Sequence, residues 1–118
     1  MKMSIIGGLA AIGFAASSGF AMADPIEGMW KRPADKGGTL EKISACGGAY
    51  CVVVASGKFN GKQAGKFTAS GGGKYVGEIT DLEAQKTYSG SGTLNGNSLV
   101  MKGCVAKIFC RSETWTRM

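Results

Sequence analysis

Short runs of alternating apolar and polar residues, separated by glycines, make up most of this chain. The clearest run is residues 86–94, where Tyr88, Gly90, Gly92 and Leu94 occupy alternate positions and Thr or Ser residues stand between them. A period of two is typical of a β-strand with one buried and one solvated face. No segment after the first 23 residues has a sustained helical period. The pattern therefore predicts an all-β protein.

The same pattern predicts about eight short strands, a number that favours a sandwich or a closed antiparallel barrel. Val52-Val53-Val54 is the most apolar run, which indicates burial on both faces. Glycine-rich hairpin turns are predicted at residues 71–73 and at Asn95-Gly96, and a polar loop at Gly57–Lys66. The predicted strands are Gly28–Lys31, Thr39–Ala45, Cys51–Ser56, Phe67–Ser70, Lys74–Leu82, Lys86–Leu94, Ser98–Val105 and Cys110–Arg117.

Two glycines, Gly90 and Gly92, fall on the apolar face of the 86–94 strand. An inward glycine lets a sheet bend sharply or leaves room inside a barrel, and the bend is the favoured role here. If the barrel is hollow, the residues expected to line its lumen and contact a ligand are Tyr75, Tyr88, Gly90 and Met101.

The first 23 residues have the pattern of an export signal. Lys2 gives a positive start, Ile5–Phe14 is apolar and uncharged, and Ala21-Met22-Ala23 fits a signal peptidase site. The apolar run is short and glycine-rich, so a retained anchor helix is the less favoured alternative. We expect residues 1–23 to be cleaved, leaving one domain at 24–118 without a transmembrane segment, in the periplasm or secreted.

Four cysteines lie after the predicted leader, as the close pairs Cys46/Cys51 and Cys104/Cys110. Disulfides persist in exported proteins, and they help small domains whose cores are marginal. Pairing within each close pair is favoured, because Cys46 and Cys51 flank a tight hairpin. A crossed pairing would stabilise more, by about 4 rather than about 2 kcal/mol for each bond, and stays open. Neither spacing is that of a zinc ribbon, so no metal site is expected.

Composition narrows the function further. The chain has 14 Lys and Arg against 8 Asp and Glu, a formal charge of +6. Its lysines are scattered singly, so nucleic acid is not an expected partner, whereas an anionic envelope component is. The absence of histidine excludes the usual catalytic triads, and Glu78, Asp81 and Glu83 are best explained as solvated carboxylates. We therefore expect no catalytic residue, no cofactor and no enzymatic activity.

The two tryptophans, Trp30 and Trp115, fall in the first and last predicted strands. Arg111, Glu113 and Arg117 share one face of the last strand with Trp115. We expect these five residues to form a structural seam that closes the barrel as one network at one end. Arg111 or Arg117 would stack on Trp30, a cation–π contact of about 0.5–2 kcal/mol, and Glu113 would pair with an arginine.

These motifs together resemble the exported bacterial proteins grouped as domain of unknown function 2147. The resemblance implies a lipocalin-like, up-and-down antiparallel barrel of about eight strands and no settled reaction. The motifs that carry it are Gly28-Met29-Trp30, Gly38–Ile43 leading into Cys46-Gly47, Gly77–Asp81, Lys86–Ser89, Met101–Cys104, Cys110-Arg111 and Thr114–Arg117.

Two functions are expected from these observations. The first is an exported, non-enzymatic barrel that binds a small hydrophobic or amphipathic ligand in its lumen. The alternative is an interaction or structural protein of the cell envelope, which would use its cationic surface or an exposed strand edge. The sequence predicts neither the identity of a ligand nor the oligomeric state.

Overall fold

A computed structural model describes residues 24–106 and 108–118 as a closed β-barrel. Each strand pairs antiparallel with the next, and the last pairs with the first, which confirms the predicted up-and-down barrel of eight strands among the described residues. The predicted leader lies outside these residues. A short 3₁₀ helix spans Ala34–Lys36. The strands are β1 (Gly28–Lys31), β2 (Leu40–Cys46), β3 (Ala49–Val54), β4 (Gln63–Gly71), β5 (Lys74–Asp81), β6 (Lys86–Asn95), β7 (Ser98–Val105) and β8 (Phe109–Arg117).

The two ends of the barrel differ in their connections. At one end, called the closed end here, β2–β3, β4–β5 and β6–β7 are joined by tight turns. Residues 24–27, called the N-terminal segment, precede β1 at this end, and their Ile26 belongs to the hydrophobic core. At the other end, called the open end, longer loops span residues 32–39, 55–62 and 82–85. Within residues 24–106 and 108–118, no helix is long and apolar enough to cross a membrane.

Strand β4 begins at Gln63, so the prediction of a loop through Lys66 is wrong in its second half. The glycine that suggested a loop, Gly65, is needed for packing. A Cβ atom there would lie 3.1 Å from the Glu78 carbonyl oxygen and 3.1 Å from Phe67 Cε1. Strands cross closely at this point, and only a residue without a side chain fits without displacing its neighbours.

The valine run of β3 is buried on one face only, contrary to the sequence prediction. Val52 and Val54 are buried in the lumen side of the sheet, whereas Val53 is half-buried. A single-layered barrel has no second layer over its outer face among the described residues, so an apolar outward residue stays partly exposed.

The inward glycines of β6 receive core side chains from other strands. A Cβ atom at Gly90 would lie 3.1 Å from Phe67 Cζ, and one at Gly92 would lie 3.2 Å from Met101 Sδ. These glycines therefore leave room inside the barrel for large side chains, the less favoured of the two roles expected from the sequence.

The cysteines pair locally, as the favoured prediction had it. Cys46 bonds to Cys51 across the β2–β3 turn, and Cys104 bonds to Cys110 between β7 and β8. Cys104 and Cys110 are direct cross-strand partners in the register of these two strands. Each disulfide thus fixes one hairpin, one at the closed end and one at the open end.

Candidate ligand-binding lumen

A cavity of about 990 Å³ enters the barrel from its open end. We call its lining residues with buried side chains, together with the half-buried Glu113, the lumen floor. The floor is mainly apolar, but it includes one buried acid, Glu41, and a half-buried one, Glu113. The apolar floor residues are Val54, Ala64, Met101 and Trp115.

An ion pair between Arg32, which directly follows β1, and Glu113, in the middle of β8, stands beside the floor. The Arg32 guanidinium donates to Glu113 through both carboxylate oxygens, with Nε–Oε1 at 2.7 Å and Nη2–Oε2 at 3.1 Å. Trp115 Nε1 donates to the same Oε1 at 2.8 Å. Burial works against ionisation of Glu113, but these hydrogen bonds outweigh it and lower the pKa of the carboxyl group. The charges of Arg32 and Glu113 therefore compensate each other.

Glu41 is different because one of its oxygens is unused. Its side chain is 3% exposed, and Thr39 Oγ1 donates to Oε2 at 3.1 Å. Oε1 is buried and has no hydrogen-bond partner among the described residues. Burial raises the pKa of Glu41, and nearby Glu113 adds to this, against the opposing effects of Thr39 and Arg32. Since buried polar atoms are nearly always paired, this oxygen marks a place where a partner is missing.

The mouth of the cavity combines exposed apolar side chains with charged ones. Ile108 and Phe109 are each 74% exposed, and both line the opening. Lys58 and Glu83 form an ion pair of 3.1 Å between the 55–62 and 82–85 loops. Both of these side chains are highly exposed, so the pair contributes little to stability and breaks readily. A ligand that separates the two loops would therefore lose little binding free energy by breaking this ion pair.

The structure places the four predicted lumen residues at different depths. Tyr88 and Met101 line the cavity. Tyr75 lies at the closed end, where its hydroxyl donates to Asp24 Oδ1 at 2.5 Å. The inward space at Gly90 is occupied by the Phe67 ring. The ligand-binding role of these residues stays a prediction.

The five predicted seam residues fall into separate groups. The Arg117 guanidinium stacks over the Trp30 ring, with Cζ 4.3 Å from the ring centroid, at the closed end. Glu113 and Trp115 instead meet at the lumen floor, where the arginine that pairs with Glu113 is Arg32. The remaining member of the five, Arg111, is exposed at the mouth of the cavity.

The N-terminal segment is held at the closed end by Asp24. Its carboxylate accepts hydrogen bonds from the Tyr75 hydroxyl, from the Tyr50 hydroxyl at 3.1 Å and from the Ile26 amide at 2.9 Å. Burial opposes ionisation of Asp24, but these donors outweigh it and its pKa is lowered. Burial raises the pKa of Tyr75, and its hydrogen bond to Asp24 raises that pKa further.

Sequence reasoning missed the buried acid of the floor, Glu41, and the arginine beside the floor, Arg32. Glu41 did leave a signal, because it falls in phase with the buried Ile43 of β2 and between exposed or half-buried neighbours. An acid in an inward position of a strand is an exception to the alternation and indicates a polar lumen. Arg32 follows β1 in a turn region, where the alternation of a strand gives no information about the direction of a side chain.

Comparisons with known proteins identify a family and nothing more specific. The family described as "Uncharacterized protein conserved in bacteria (DUF2147)" matches residues 58–117, which include β4–β8. The motifs between Gly28 and Cys46-Gly47, which also carried the resemblance, precede the matched residues. No curated protein and no solved structure matches the chain. With half of its length matched and a closed eight-stranded barrel in its described residues, the chain belongs to the DUF2147 family.

Proposed function

We propose that this protein is a non-enzymatic binding barrel that takes a small amphipathic molecule into its lumen. The observation that carries the proposal is the open cavity of about 990 Å³. Binding sites for small molecules have volumes of about 300–1,000 Å³ and combine apolar walls with a few polar groups. A barrel whose only role was structural would gain stability from filling this space, because cavities lower the free energy of unfolding.

The distribution of polarity supports an amphipathic ligand over a purely apolar one. Met101, Trp115 and Val54 offer an apolar surface, whereas Glu41 and Glu113 bring carboxyl groups to the same floor. An apolar ligand would bury these groups further without pairing with them, which costs free energy. A molecule with one polar group and an apolar body satisfies both parts of the lining.

The hydrogen bonds at the floor argue against an enzyme. The pKa of the Glu113 carboxyl group is lowered, and both its oxygens accept hydrogen bonds from Arg32 or Trp115. A carboxylate held in this way is a poor nucleophile or general base, because reaction would break these bonds. With no histidine in the chain, we assign no catalytic role to the lumen.

Export remains part of the proposal. The apolar leader ending at Ala21-Met22-Ala23 and the two disulfides support a location in the periplasm or outside the cell. In such a location the protein would meet lipids, their fragments and other small amphiphiles. A lumen open at one end suits their uptake and release.

The test is to express the full chain with its leader and purify it from the periplasmic fraction without detergent. Native mass spectrometry and solvent extraction should find a bound small molecule. After extraction, the protein should bind the fluorescent probe N-phenyl-1-naphthylamine. Ala64→Phe, which fills the floor, should weaken probe binding about tenfold, a change of about 1.4 kcal/mol. Ala69→Phe, at an exposed position of the same strand, is the matched control and should bind like the wild type.

A protein that is always empty and binds no amphiphile contradicts the proposal. If that empty protein is instead retained on anionic envelope material and released by salt, the alternative role of its cationic surface replaces the first one. The formal charge of +6 is the observation that favours this alternative.

A further inference from the structure

We infer that the lumen selects amphiphiles with a cationic, hydrogen-bond-donating head group, such as a primary ammonium, which pairs with Glu41. This inference rests on the proposed function and adds the chemical class of the ligand. It is drawn from the charges at the floor and from the unpaired oxygen of Glu41.

The charges at the floor leave one acid without a counterion. Arg32 and Glu113 form a two-point ion pair and compensate each other. The hydroxyl of Thr39 is the hydrogen-bond donor that Glu41 has, and it carries no charge. The other charged residues that line the cavity belong to its mouth or to the loops around it, namely Lys36, Lys58, Asp81, Glu83 and Arg111. An ionised Glu41 therefore makes the innermost charge of the lumen negative.

An ammonium group fits this environment better than the other common head groups. It has several N–H donors, so it can supply the partner that Glu41 Oε1 lacks and also compensate the charge. A hydroxyl can donate to Oε1 but leaves the charge uncompensated. A carboxylate offers no donor and brings a second negative charge into a site of low dielectric constant, where like charges repel strongly. The expected order of affinity is amine, then alcohol, then carboxylate.

The apolar lining of the lumen would contact the apolar chain of such a ligand. Tyr88, Met101 and Trp115 line the lumen, and the exposed Ile108 and Phe109 continue the apolar surface at the mouth. A ligand whose head lies at Glu41 would extend its chain along these residues toward the open end. Each buried methylene group would then contribute about 0.8 kcal/mol.

The inference is tested with three probes that share one apolar chain: dodecylamine, dodecanol and dodecanoate. Each displaces N-phenyl-1-naphthylamine from the extracted wild-type protein at pH 7, below its aggregation concentration. Dodecylamine should bind at least about tenfold more tightly than dodecanoate. In Glu41→Gln, the affinity for dodecylamine should fall about tenfold, while that for dodecanol changes little.

The matched control is Glu83→Gln, which removes the same charge from an exposed position at the mouth. It should keep the preference for dodecylamine, which separates pairing with Glu41 from general attraction of cations. Circular dichroism checks that both variants are folded. Equal affinities for the three probes, tighter binding of dodecanoate, or an unchanged preference in Glu41→Gln would overturn the inference and leave the proposed function intact. If the wild type binds none of the probes, the proposed function fails and the inference with it.

Discussion

At the scale of single residues, the two acids of the lumen floor have opposite electrostatic surroundings. Glu113 receives three hydrogen bonds from Arg32 and Trp115, and its pKa is lowered despite burial. Glu41 receives one hydrogen bond from Thr39, and burial raises its pKa. Burial opposes ionisation of both, so the difference arises from the number of donors at each carboxyl group and from the neighbouring charges, which are cationic at Glu113 and include an acid at Glu41.

Replacing Glu41 by glutamine should raise the free energy of unfolding at neutral pH. The pKa of Glu41 is raised in the folded state above its ordinary value of 4.5. Its protonated form is therefore favoured by folding, and the wild type loses stability as the pH rises above that value. Glutamine does not ionise, so the Glu41→Gln variant does not lose this stability. Its free energy of unfolding should exceed that of the wild type by a small amount at pH 4 and by a larger amount at pH 7.

Urea denaturation of the ligand-free protein at the two pH values measures this difference. Glu83→Gln, which changes an exposed acid, should show no comparable dependence on pH. A Glu41→Gln variant that is less stable than the wild type at pH 7 would show that the ionised carboxylate stabilises the fold.

At the scale of secondary-structure elements, β4 and β5 approach so closely that one position tolerates no side chain. A Cβ atom at Gly77 would lie 2.8 Å from Phe67 Cα and closer still to the Lys66 carbonyl oxygen. Both are backbone atoms of the paired strand, so neither can rotate away. Gly77 faces Phe67 in the register of β4 and β5 and Gly90 in the register of β5 and β6, which places it beside the centre of the core.

Gly77→Ala should therefore destabilise the barrel, by about 1–3 kcal/mol or more, because the strands must separate to admit the methyl group. Thermal or urea denaturation followed by circular dichroism measures the loss. The matched variant is Gly103→Ala in β7, where the added methyl group meets the side chains of Ile79 at 3.2 Å and Tyr88 at 3.6 Å. Side chains can adjust, so Gly103→Ala should cost less, and equal losses would contradict the explanation.

At the scale of the whole molecule, the barrel is closed by the short strand β1. It pairs with β8 through Thr116 and Lys31 and through Arg117 and Trp30. Arg117 adds three contacts at this junction: it stacks on Trp30 and donates to the carbonyl oxygens of Glu27 at 3.2 Å and Pro25 at 2.6 Å. One side chain thus holds the last strand, the first strand and the N-terminal segment together.

Arg117→Ala should loosen this junction and cost about 1–3 kcal/mol, the sum expected for two hydrogen bonds and one cation–π contact near the surface. Hydrogen exchange measured by mass spectrometry should become faster in β1, β8 and residues 24–27, before the other strands exchange. Arg111→Ala removes the same side chain from an exposed position of the same strand and should leave exchange unchanged. Uniformly faster exchange throughout the barrel in Arg117→Ala would argue against a local role in closure.

The sequence by itself predicted most of the strands and their turns and favoured the local disulfides, because these depend on neighbours along the chain. Alternation assigned one face of β6 to the interior, as the buried Gly90 and Gly92 show. Asn95-Gly96 marked a hairpin, and a spacing of five residues placed Cys46 and Cys51 on either side of a turn. The stacking of an arginine on Trp30 was also expected, because Trp30 lies in the first strand and the arginine in the last, and these two strands must pair to close a barrel.

Only the tertiary structure decided which side chains meet across the barrel. Arg32 and Glu113 are 81 residues apart, and Asp24 and Tyr75 are 51 apart, so no local pattern could pair them. Tyr75 and Tyr88 fall on inward faces alike, yet one joins the closed end and the other lines the lumen, because strand register sets their depth. The open cavity and the unpaired oxygen of Glu41 both result from where these side chains lie in the closed barrel. Periodicity specifies the face on which a residue lies, whereas closure of the sheet specifies its neighbours.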